Sequence, residues 1–144
     1  MNRSERGFSF LELVAVLSAA MVMTAITTPF ANGVHNSYLL RKDAHYIVAQ
    51  CQNARFQAVS SNMQHRLKKN GNTIELQRST GAGAYSVVES YPLSTGVRVA
   101  TPWSSDPVFS PRGTVSAPAT IALANAGGAR RVVSISIRGF VQEQ

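Results

Sequence analysis

The sequence predicts an α+β protein: a long N-terminal α-helix, apolar in a first half that protrudes and amphipathic in a second half packed on an antiparallel β-sheet. Three observations carry this prediction. An apolar run fills residues 8–30, broken only by Glu12 and by serine and threonine hydroxyls. Apolar residues then recur at mostly three- and four-residue spacing as far as Met63. Beyond Asn70-Gly71-Asn72, short β-rich stretches alternate with turn residues, the mark of successive antiparallel strands.

The helix begins with a basic head and a glycine. Arg6-Gly7-Phe8-Ser9-Phe10-Leu11-Glu12-Leu13 leads into an apolar run through Val14, Leu17, Met21, Val22 and Met23 to Ile26. A run of this length matches the roughly 20 residues that a helix needs to cross a bilayer. A secretory signal would place its small-residue processing point after the apolar region. Here the candidate point, Gly7, precedes it, so cleavage would leave the hydrophobic helix on the mature chain. Glu12 is a carboxylate in an apolar helix, which is costly unless it finds a cation.

From Pro29 onwards the pattern changes character. Val34, Tyr38, Leu40, Ala44, Ile47, Val48, Cys51, Ala54, Ala58 and Met63 form one stripe, and Arg41, Lys42, Asp43, Gln50, Gln52, Arg55 and Gln57 fill the other faces. Pro29 removes a backbone donor, so a kink is expected across residues 27–33. A helix from Phe8 to about Gln64 would be roughly 85 Å long.

Strands are expected at 73–77, 85–91, 96–101, 107–109, 120–124 and 131–137. Their separators include Gly81-Ala82-Gly83, Pro111-Arg112-Gly113 and Ala126-Gly127-Gly128. Val97-Arg98-Val99 and Val133-Ser134-Ile135 alternate as in a sheet with one buried face, which the amphipathic helix would cover. Trp103 is expected in a loop, anchored on the sheet.

With 14 lysines and arginines against 7 carboxylates, the net charge of +7 favours anionic partners and serves solubility equally well. Arg130, Arg131 and Arg138 are candidate anion or DNA contacts, and Arg66, Lys68 and Lys69, at the helix end, are a second basic group. The single cysteine, Cys51, excludes an intramolecular disulfide and reads as core. His35, His45 and His65 are too far apart on a helix to share a metal, and no close carboxylate pair, phosphate loop or nucleophile motif appears. The expectation is therefore a non-enzyme without cofactor or metal.

The leader resembles that of type IV prepilins and of type II secretion pseudopilins. This resemblance implies a pilin fold, cleavage after Gly7 by a prepilin peptidase, and Phe8 as the N-methylated first mature residue. It makes Glu12 the fifth-position glutamate that pairs with the Phe8 amine of a neighbouring subunit, and Pro29 the helix-loosening proline. Phe109-Ser110-Pro111-Arg112-Gly113, the Arg130-Arg131 strand and the late Gly139 resemble the GspH/FimT group of minor pilins and pseudopilins. Residues 1–7 are then a leader peptide, 8–30 a transmembrane and filament-core helix, and 31–144 a periplasmic globular domain. The implied partners are the prepilin peptidase, inner-membrane lipid and other pilins or pseudopilins, reached through the N-terminal helix. The implied place is the inner membrane, single-pass, and then a pilus or pseudopilus filament. The expected function is that of a minor pilin that initiates or caps assembly of a type IV pilus. A type II secretion pseudopilin serving protein export and a tip receptor for DNA uptake are the alternatives. The DNA-uptake members carry arginines after the late glycine, and here Phe140-Val141-Gln142 stands in their place.

Overall fold

The computed structural model describes residues 9–144, with the side chains of 26–32 and of residue 102 left aside. Gly7 and Phe8 lie outside the described residues. One helix, α1 (Phe10–Ser61), is followed by eight strands: β1 (His65–Asn70), β2 (Thr73–Gly81), β3 (Ala84–Pro92), β4 (Val97–Trp103), β5 (Val108–Phe109), β6 (Ala119–Asn125), β7 (Arg130–Ile135) and β8 (Val141–Glu143). The chain divides into two units, Met1–His35 and Asn36–Gln144.

In the first unit the described residues are helical from Phe10 onwards. Ser9 precedes the helix, and its carbonyl accepts from the amides of Glu12 and Leu13 at 3.0 and 3.1 Å. Ser9-Phe10-Leu11-Glu12 has the serine-to-glutamate spacing of a helix start, and an acid in the first turn complements the helix dipole. The helical backbone continues through Pro29.

In the second unit α1 ends where Asn62 takes a left-handed φ of 53°, a conformation that asparagine tolerates and that stops a helix. Of the expected stripe, Leu40, Ala44, Ile47, Cys51, Ala54 and Ala58 are buried and Val48 is half-buried, whereas Val34, Tyr38 and Met63, towards its two ends, are exposed. Its alanines and Cys51 are small, so the helix can lie close on the strands beneath.

The strands form two four-stranded antiparallel sheets rather than one. Their orders are β3-β2-β1-β5 and β4-β6-β7-β8. Leu67, Ile74, Leu76 and Phe109 from the first sheet and Leu123, Ile121, Val133 and Ile135 from the second share one core with the helix stripe. The chain therefore crosses between the sheets three times, after β3, β4 and β5. Each crossing is fixed by a polar or close contact. At the first, Asp43 on α1 is fully buried and accepts from Tyr91 Oη, Ser94 N and Ser94 Oγ at 3.0, 2.7 and 2.8 Å. At the second, the half-buried Trp103, which closes β4 rather than lying in a loop, donates its indole N–H to Asp106 at 2.9 Å. At the third, Gly113 sits against Arg55 and Val59 of α1.

Two elements differ from the sequence expectation. Residues 65–70 form strand β1, not the end of the helix, and Asn70 pairs with Thr73 around a two-residue turn at Gly71, whose φ is 61°. Arg66, Lys68 and Lys69 thus lie on a strand. Residues 141–143 form β8, paired with β7 through Val133↔Glu143 and Ile135↔Val141.

Candidate functional site

The first candidate region is the N-terminal half of α1. At 100° per residue, Phe10, Leu11, Leu13, Val14, Val16, Leu17, Met21, Val22 and Met23 point in every direction around the axis, and all are exposed, Phe10 at 83% and Met23 at 74%. This half of the helix thus leaves apolar surface uncovered on every face. Its hydroxyls are satisfied within the helix: Ser18 donates to the carbonyls of Val14 and Ala15, and Thr24 to those of Ala20 and Met21. Glu12 is exposed in the first turn. Among the described residues no helix is long and apolar enough to cross a membrane.

The two flanks of α1 in the second unit differ in chemistry. On one side a run of amides leads to the first sheet: Gln57 donates to Asn53, Asn53 to Gln50, Gln50 to Tyr46 and Tyr46 to Glu89, at 3.1, 3.4, 2.7 and 2.8 Å. Tyr46 also stacks on Tyr91, ring centroids 3.7 Å apart. Burial, together with the neighbouring Glu89, pushes the Tyr46 hydroxyl up to about 12. On the other side, His45 lies 3.1 Å from Glu143 of β8, which also faces Arg131 at 3.6 Å. Further along this flank Phe56, Val59 and Met63 are exposed.

The candidate arginines do not form one group. Arg130 opens β7 and Arg138 follows its far end, about 17 Å away along the strand at 3.3 Å per residue. Arg131 shares the inner face with Glu143 and is paired to it. Arg130 instead faces Arg98 across Ala124, since Arg98↔Ala124 and Ala124↔Arg130 are register partners. Sequence reasoning missed this pairing because register between distant strands leaves no local trace. Arg66 is also engaged: its Nε donates to Gln77 at 2.8 Å, and its guanidinium lies 3.8 Å over the Tyr85 ring.

Arg138 belongs to another cluster. Gly139 and Gly113 both have a φ of 76°, and a Cβ added to Gly139 would lie 2.5 Å from the Gly113 carbonyl oxygen. The turn between β7 and β8 is thus pressed against the turn after β5, backbone on backbone. Arg55 reaches between them, donating to the Gly139 carbonyl at 3.4 Å and approaching the Phe140 ring centroid to 5.7 Å. The late glycine and the Pro-Arg-Gly turn, separate signals in the sequence, are one junction in the fold.

His35 and His45 are exposed and His65 is buried on β1, its Nδ1 3.2 Å from the Met63 carbonyl. No group of three or more His, Cys, Asp or Glu side chains that could hold a metal occurs among the described residues. Cys51 is buried, and desolvation pushes its thiol up to about 12, which leaves it protonated and inert.

No family model matches the sequence, and no curated protein matches it. Solved structures do. The minor pseudopilin EpsH of the type 2 secretion system of Vibrio cholerae aligns with a TM-score of 0.61 and 11% identity, over 73% of this chain and 95% of that one. The type IV minor pilin FimU of Pseudomonas aeruginosa aligns with a TM-score of 0.62 and 20% identity, over 73% of this chain and 87% of that one. A second crystal form of FimU gives 0.60, 22% and 92% of its length. At these identities the likeness is one of fold.

Proposed function

We propose that the chain is a minor pilin of a type IV pilus, one that initiates or caps assembly of the filament. The observation that carries this reading is the first half of α1, apolar and exposed on every face, with a carboxylate in its first turn. Such a helix requires lipid before assembly and neighbouring helices afterwards. In this reading prepilin peptidase removes residues 1–7 after Gly7, residues 8–30 cross the inner membrane and later enter the filament core, and residues 31–144 form the periplasmic domain. Phe8 supplies an N-methylated amine, and Glu12 of one subunit takes the amine of the next, which neutralises both charges in an apolar setting. Pro29 provides the give that lets the helix repack. The chain's work is structural. The proteolytic step belongs to the peptidase, and no cofactor takes part.

The test is direct. Gly7→Ala leaves an unprocessed, membrane-held precursor, whereas Glu12→Ala is processed and inserted but enters filaments at a small fraction of the normal level. A normally shortened Gly7→Ala product on an immunoblot would refute the cleavage site. Normal filament entry of Glu12→Ala would refute the pairing.

A minor pseudopilin of a type II secretion system is the second reading, supported by a likeness to EpsH as good as that to FimU. Gene deletion separates the two. Loss of surface pili follows from the first reading, and periplasmic accumulation of exported proteins from the second.

A further inference from the structure

We infer that the paired turns at 111–113 and 138–140, with Arg55 and Val59 of α1 beside them, form a docking surface for an acidic segment of a different protein subunit. The inference rests on the reading of the chain as a filament subunit and names the chemistry of one neighbour. The contact between Gly113 and Gly139 is its foundation. No side chain fits at Gly139, so the two turns stay in backbone contact, and the residues just before each glycine, Arg112 and Arg138, are both exposed. Arg55, wedged at the seam with its Nε 3.1 Å and 3.3 Å from the Cβ positions of the two glycines, adds a third guanidinium.

Apolar side chains share this surface. Phe140 is 60% exposed, Ile137 55% and Val59 52%, and Val59 Cγ2 lies 3.5 Å from the Cβ position of Gly113. Clustered exposed apolar groups mark an interaction site, and arginine with aromatic side chains is the composition of binding hot spots.

Charge identifies the partner. Every carboxylate of the second unit is engaged internally: Asp43 with Tyr91 and Ser94, Glu75 with Asn70 and Gln77, Glu89 with Tyr46, Asp106 with Trp103, and Glu143 with His45 and Arg131. No carboxylate among the described residues lies within ion-pair distance of Arg55, Arg112 or Arg138. Residues 36–144 hold 12 lysines and arginines against 5 carboxylates, the chain's 14 and 7 less Arg3, Arg6, Glu5 and Glu12. A second copy would set cation against cation, so the complement is a different chain. The surface offers one ring, Phe140, where a platform for successive bases would present several, and Val59 and Ile137 add aliphatic area, which favours a protein over a nucleic acid. The surface fits a segment in which glutamates or aspartates flank an apolar side chain.

The test uses the processed full-length protein in detergent and a fluorescein-labelled peptide that alternates glutamate with phenylalanine and leucine. Its counterpart has lysine at every glutamate. By fluorescence anisotropy at low salt the acidic peptide binds and the lysine peptide does not, and raising the salt weakens binding. The double variant Arg112→Gln/Arg138→Gln, confined to exposed side chains, weakens binding at least tenfold, and Phe140→Ser weakens it as well. Arg98→Gln, on the other sheet face, leaves it unchanged. Equal binding of both peptides, or undiminished binding by the double variant, overturns the inference. So does a labelled DNA duplex that binds at these arginines and is not displaced by the acidic peptide. A normally shortened Gly7→Ala product counts against the filament reading alone. The expected unprocessed Gly7→Ala precursor together with no peptide binding to the wild-type protein sinks the docking surface alone.

Discussion

Replacing Gly139 by alanine should be the most damaging single-methyl change in the C-terminal third of the chain. Two costs add. The left-handed φ of 76° costs an L-residue about 1–2 kcal/mol. The new Cβ would also stand 2.5 Å from the Gly113 carbonyl oxygen and 3.1 Å from Arg55 Nε. The arginine can shift, but the carbonyl belongs to a turn held by the Gly113 N–H to Ser110 carbonyl bond at 2.9 Å and the Ser110 N–H to Thr114 carbonyl bond at 2.8 Å. Forcing backbones apart in a packed region costs about 1–3 kcal/mol, so the total is about 2–5 kcal/mol. Gly128→Ala is the internal control, because its φ of 83° carries the same conformational cost while nothing lies within 4 Å. Urea unfolding of residues 36–144 should show a lower midpoint for both variants at unchanged slope, with Gly139→Ala lower by about 1–3 kcal/mol more. Equal losses in the two variants would refute the steric part of the reasoning, and with it the rigid apposition of the two turns.

Asp43→Ala removes the acceptor of three hydrogen bonds at a buried position and strands the Tyr91 and Ser94 donors. A loss of about 3 kcal/mol or more by urea unfolding is expected, against about 1 kcal/mol for Tyr91→Phe. Cys51 should resist thiol reagents at pH 8 in the folded protein and react fully in denaturant; rapid labelling of the native state would contradict its burial. The sign of its pH effect follows from linkage. The thiol titrates near its ordinary value of 9.0 in the unfolded chain and at about 12 in the folded one, so between those values the unfolded state alone loses the proton. Stability therefore falls as pH rises through that window, by up to about 1.4 kcal/mol per pH unit from this group, and Cys51→Ala removes that part of the slope.

Much of the fold is legible in the sequence because its signals are local. The helix stripe follows from spacing, but the helix ends at Ser61, short of the expected Gln64, because Asn62 turns left-handed, which spacing does not reveal. Asn70-Gly71 and Gly81-Ala82-Gly83 mark real hairpin turns. The stretch His65-Arg66-Leu67-Lys68-Lys69 was not legible as a strand: only Leu67 and His65 bury their side chains, and their alternation is short enough to continue a helical pattern equally well. The division into two sheets is settled by which distant strands pair, as is the register that sets Arg98 beside Arg130 and parts Arg130 from Arg138. For the candidate site, residue types were legible and groupings were not. Gly113 and Gly139 are 26 positions apart in the sequence, and only the crossing of the chain between sheets brings their turns together.

Two of the three inter-sheet crossings are tied to α1 itself, the first by Asp43 and the third through Arg55 and Val59. The strand ladders of the two sheets are otherwise separate. The helix therefore joins the shared core and the apposed turns at residues 113 and 139 in tying one sheet to the other. Amide protons of both sheets should then exchange with solvent as one cooperative group rather than sheet by sheet.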